Sequence, residues 1–176
     1  MRYLQIFFIA LLGLAVTVGT ADAQRRTTRK TTTPKTTVVP PLEVRAAREK
    51  VDNQLANVNR FVDVLGPIAV EIEALDESAK AKPLTKAASD KNEANKQKVI
   101  AAIRNLKAGL SDLETDFRTK AELKKYLPSI QGITDLAAAS EDSAIAGKFV
   151  AAKEPLRSIS KKLSDTLAVM PVSPAQ

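Results

Sequence analysis

Arg25, Arg26, Arg29, Lys30 and Lys35 stand in the stretch QRRTTRKTTTPKTTVVPP, residues 24–41, with no acid among them. Cations without a counter-charge attract phosphate, lipid head groups or acidic polymer, and such binding is electrostatic and tolerant of sequence. The stretch holds no aromatic residue, so it lacks the stacking platform of a dedicated nucleic-acid binder. A second basic row is written in helical spacing. Lys153, Arg157 and Lys161 recur at i, i+4 and i+8, with Lys148 and Lys162 nearby. On a helix they share one face, suited to an anionic surface or acidic partner, or simply to the wet side of a bundle helix.

Other chemistry is bounded by missing residue types. The chain has no His, no Cys and no Trp. Without His and Cys there is no Ser-His-Asp or Cys-His nucleophile pair, no imidazole or thiolate zinc site and no haem held by His. Carboxylates remain. Glu71, Glu73, Asp76 and Glu77 cluster, and Glu73 and Glu77 are i,i+4 neighbours. A calcium loop would alternate acids around a Gly, and none is present, so the cluster reads as a solvated face. Asp112 and Asp116 flank the apolar Leu113/Phe117 stripe. As an acid/base pair they would need a cleft that a packed bundle seldom offers. The sequence thus nominates no catalytic residue, cofactor site or metal ligand, and the expectation is a non-enzymatic protein without a cofactor.

The N-terminus reads as an address. Arg2 precedes an apolar run from Leu4 to Val18, and Ala21-Asp22-Ala23 offers small residues at the positions a signal peptidase reads. Residues 1–23 are therefore expected to be a secretory signal cleaved before Gln24. The alternative is an uncleaved anchor, for which the run is short of the roughly 20 apolar residues a spanning helix needs. An exported chain without Cys folds without disulfides, and no Asn is followed by Ser or Thr two positions on. These features favour a bacterial periplasmic or secreted protein. Of the net charge of +7, +5 belongs to residues 24–41. Those residues carry almost nothing apolar and read as a disordered basic Thr/Pro-rich linker.

From residue 42 to 176 the apolar period is helical. Val44, Ala47, Val51, Leu55, Val58, Val62 and Leu65 recur at steps of three and four, and Ala69, Ile72 and Leu75 continue the stripe past Gly66-Pro67. Pro67 cannot donate to residue 63, so a kinked helix, or two joined by a tight bend, is expected, fading before Lys82-Pro83. A second stripe runs through Val99, Ile103, Leu106, Leu110, Leu113 and Phe117, with Asp90 or Thr85 as its cap and Pro128 as its end. Glu114–Arg118 and Asp116–Lys120 are i,i+4 pairs assigned to its exposed side. A third, alanine-rich helix follows from Ile130, with Gly147 as its stop. A fourth runs from Phe149 to Met170, with Pro155 kinking it or marking its first turn. The fold class is all-α: an antiparallel four-helix bundle with two long helices, the first kinked at Gly66-Pro67, and two shorter ones. Residues 66–104 are expected to project as a polar-tipped two-helix arm.

The function this implies is an interaction, spacer or structural module of the cell envelope, its basic tail meeting anionic envelope polymer, lipid head groups or another envelope protein. The rival expectation is a small-ligand binder with an apolar pocket between helices.

Overall fold

The computed structural model describes residues 40–172. The expected signal peptide and all five tail cations lie outside the described residues. Five α-helices follow in order: α1 (Leu42–Ala81), α2 (Lys86–Thr119), α3 (Leu127–Ile130), α4 (Ile133–Ile145) and α5 (Lys153–Val169), with a 3-10 turn at Lys124–Tyr126. The short α3 is a step in the connection, so the bundle has four members. α1 packs on α2 and α5, and α4 packs on α2 and α5, which closes a ring. Side-chain links fix the directions. Lys50 meets Asp116 and Asn92 meets Asp76, so α1 and α2 run antiparallel. Arg104 meets Glu141 while Thr134 meets Glu114, so α2 and α4 do too. Asn59 meets Ser160 and Arg48 meets Leu167, which sets α5 against α1.

The stripes become the core. Val51, Val58, Leu65 and Ile72 of α1, Ile103, Leu110 and Phe117 of α2, and Leu156, Ile159 and Leu163 of α5 are all buried. Burial of such side chains, each stabilising by roughly 1.5–3 kcal/mol, is what holds helices with few caps of their own. Among the described residues, no helix is long and apolar enough to cross a membrane.

α1 continues through Pro67 as one helix, the first of the two expected alternatives, and ends at Ala81 before Lys82-Pro83, because Leu65 and Ala69 on either side are locked in the core and outweigh one missing backbone bond. Other boundaries differ from expectation, each for a local reason. Thr85, not Asp90, caps α2: its hydroxyl accepts from the Ala88 N–H at 3.3 Å, while Asp90 pairs with Lys86. Pro128 does not end α2, which stops at Thr119; it lies in the first turn of α3, where its missing N–H is no loss. Pro155 likewise sits in the first turn of α5, which starts at Lys153 rather than Phe149.

The arm is shorter than expected. Leu65, Ala69 and Ile72 at its supposed base, and Val99, Ile100 and Ile103 opposite, are buried in the bundle. The Val150 N–H donates to Glu73 at 2.8 Å, which marks how far the α4–α5 corner reaches along α1. Only residues 74–98 extend beyond that corner, and the α2 part of that extension is about 20 Å long at 1.5 Å per residue.

α4 stops as its sequence indicates. Gly147 takes φ +75°, the Lys148 N–H donates to Ser143 and the Gly147 N–H to Ala144, the paired bonds of a Schellman ending. A Cβ at Gly147 would meet nothing within 4 Å, so the cost of a side chain there is purely conformational. Gly147→Ala is expected to lower stability by roughly 1 kcal/mol, read as a shifted urea midpoint with an unchanged slope. No shift would show that the left-handed turn is not required.

Candidate functional site

The polar side chains that the fold buries form the most organised feature of the described residues. α4 begins at Gly132 with φ +88° and no side-chain cap of its own, which leaves its first N–H groups without intrahelical partners. Glu114 of α2 supplies the acceptor. One oxygen accepts from the Gly132 N–H at 2.9 Å, the other from the Thr134 N–H at 3.1 Å and the Thr134 hydroxyl at 2.8 Å. Arg118 adds a guanidinium bond to the same carboxylate. Burial alone would raise the Glu114 pKa, but the Gly132 N–H, Arg118 and Thr134 outweigh it and hold the carboxyl at about 2. The helix dipole of α4 favours the same negative charge.

The sequence reading placed Glu114 on the exposed side of α2; it is 3% exposed. Its i,i+4 partner was read correctly, but a partner 18–20 residues away cannot be seen in helical spacing. Glu141 is the companion case. Buried on α4, it takes ion pairs from Lys107 and Arg104 of α2, and these hold its pKa below the usual carboxylate range. At the end of the bundle where α1 begins, Arg48 donates to the carbonyls of Leu167 and Met170 at 2.6 and 2.8 Å, closing the C-terminus of α5 with a cation. The Ser140 hydroxyl donates to the Ala152 carbonyl at 2.8 Å. α4 and α5 are thus closed at these points by groups from other elements of the fold.

The acidic cluster of α1 is shared out in the same way. Glu73 takes the Val150 N–H, Asp76 takes Asn92 and Lys96, and Glu77 pairs with Lys80. Asp116 bonds Lys50 and, next, Lys120, and its pKa is lowered accordingly. Asp112 lines a separate shallow cleft with Lys50, Gln54 and Gly109. A cleft of about 760 Å3 opens beside the arm's base, lined by the charged Glu73, Asp76, Glu77, Lys80, Lys148 and Glu154 together with Ala146, Gly147, Val150 and Ala151. Among the described residues, no group of three or more acids is arranged to hold a metal ion.

Of the nominated contact residues, Lys153, Arg157 and Lys161 do form a row on α5. Arg157 and Lys161 are exposed and paired on their own helix, with Glu154 and Asp165, each at 2.7 Å. Such exposed pairs contribute little. The Lys153 chain lies over Gly66, its Nζ 3.3 Å from where a Cβ would stand. Tyr126 is 9% exposed, with Lys125 Nζ 4.9 Å from its ring centroid. No protein-family model, no curated protein and no solved structure matches this chain.

Proposed function

We propose that the protein is an exported, non-enzymatic spacer or docking module of a bacterial cell envelope, periplasmic or secreted, tethered to an anionic surface by its basic tail. One observation supports the reading above the rest: the buried carboxylates Glu114 and Glu141 and the buried Ser140 hydroxyl are each engaged in bonds between different elements of the fold. A carboxylate held at about 2 is a poor proton carrier near neutrality, where general acid–base groups work best. The tail supplies what the bundle lacks, a concentrated charge. With +5 in residues 24–41 and +2 in the rest of the chain, affinity for a polyanion resides mainly in the tail.

Two measurements test the reading together. N-terminal sequencing of the exported protein is expected to start at Gln24; a retained Met1 in the envelope fraction would show an anchor instead. Co-sedimentation with anionic vesicles or cell-wall polymer is expected to fall steeply between roughly 50 and 200 mM salt. Replacing Arg25, Arg26, Arg29, Lys30 and Lys35 together by Gln is expected to abolish it, whereas neutralising Lys153, Arg157 and Lys161 has the smaller effect. Equal binding by the tail variant and the wild type would leave the tail as a spacer only.

A further inference from the structure

We propose that the end of the bundle where the chain enters α1 is a docking face for an anionic lipid bilayer, with Lys124, Lys125, Leu42, Val169 and Val172 as its contact residues. The proposal rests on the tether reading and adds which face meets the surface and that the surface is lipid. Topology gathers these residues. The Lys50–Asp116 bond and the bonds from Arg48 to Leu167 and Met170 place the start of α1, the end of α2 and the end of α5 together. The turn after α2 covers the same end.

That turn is basic. Between residues 118 and 125 stand Arg118, Lys120, Lys124 and Lys125 against the single acid Glu122. Arg118 and Lys120 are partnered by Glu114 and Asp116. Lys124 and Lys125 are exposed and make no ion pair among the described residues. The exposed acids near the chain's entry are Glu43, Glu49 and Asp52, the last two sharing a cleft with Arg45, Arg48 and Val172, so the unpaired cations of this end stand on the turn after α2.

Beside these cations the same end exposes large apolar side chains: Leu42 at 71%, Val169 at 58% and Val172 at 72%. Lysines at the same end as exposed aliphatic groups suit the boundary between head groups and acyl chains, where the cations meet phosphate and the apolar groups leave water. A soluble acidic polymer would satisfy the lysines and gain nothing from the valines. The arm tip gives the contrast. Residues 80–91 carry Lys80, Lys82, Lys86 and Lys91 but none of the exposed large hydrophobic side chains.

Chain connectivity supplies the second argument. Pro40 leads directly into α1, and the tail cations lie 5 to 15 residues before it. A tail held on a surface raises the local concentration of whatever is joined closest to it. The entry end is joined closest; the tip of the arm is a whole α1 helix away.

The test uses purified, N-terminally sequenced protein and two probes: vesicles of phosphatidylcholine containing phosphatidylglycerol, and soluble polyphosphate. Each variant alters only exposed positions, and circular dichroism checks its fold. Lys124→Gln with Lys125→Gln, and separately Val169→Ser with Val172→Ser, are each expected to weaken vesicle binding roughly fivefold or more near physiological salt. The valine pair leaves polyphosphate binding unchanged. Lys82→Gln with Lys91→Gln on the arm leaves vesicle binding unchanged. Wild-type vesicle binding by both end-face variants, with loss in the five-site tail variant, would overturn the docking face and leave the tether standing. Wild-type binding of both probes by the tail variant would instead overturn the tether. A loss in the arm variant equal to that of the lysine pair would also overturn the assignment of this face.

Discussion

Glu114→Ala is expected to destabilise the bundle by about 2–3 kcal/mol at pH 7, because it strands the Gly132 and Thr134 N–H groups at a half-buried helix start. Glu114→Gln keeps an acceptor but loses the charge, and is expected to fall between the wild type and the Ala variant. The same carboxylate makes stability depend on pH. Its pKa drops from the ordinary 4.5 when unfolded to about 2 when folded. The stabilisation is therefore complete above about 4.5 and is lost as pH falls through that value toward 2. The depression corresponds to up to about 3 kcal/mol. Asp116 and Glu141, also lowered, act in the same direction. Urea melts of the wild type from pH 6 to 2 should show this decline, and those of Glu114→Ala a shallower one. Parallel pH profiles for the two proteins would show that Glu114 is not the acid-sensitive group.

Leu110→Ala is expected to cost roughly 2–5 kcal/mol, the range for large-to-small changes at fully buried sites. Leu110 is 0% exposed, in the middle of the α2 stripe. Within that range the cost rises with the cavity that remains after relaxation. A loss below about 0.5 kcal/mol in denaturant melts would place this face outside the core.

The helices were legible because burial and period coincide in them. Steps of three and four marked α1, α2 and α5, and Gly147 announced the end of α4 by the conformation that only glycine adopts freely. What escaped was long-range polar pairing. Within α2, Glu114 and Arg118 look like any surface pair. Nothing in their spacing tells that the α2–α4 turn returns Gly132 and Thr134 to the same carboxylate. The arm was overestimated for a related reason. Its polar composition is an average, while Val99, Ile100 and Ile103 supply enough apolar surface to carry the helix base into the core. Thr85 was missed as the first choice of cap because Asp90 and Glu93 match a local pattern equally well.

Remote capping also has a consequence for the order in which the chain assembles. A helix start closed by its own Ser or Asp can form alone, whereas α4 gains its acceptor only when α2 lies beside it. α5 gains its C-terminal cation only when Arg48, 119 residues earlier than Leu167, is in place. The caps of α4 and α5 are therefore expected to form only after α2 and α1, respectively, are in place beside them. The last of these links is made at Met170, so a chain growing from its N-terminus leaves Arg48 without this partner until residue 170 is present.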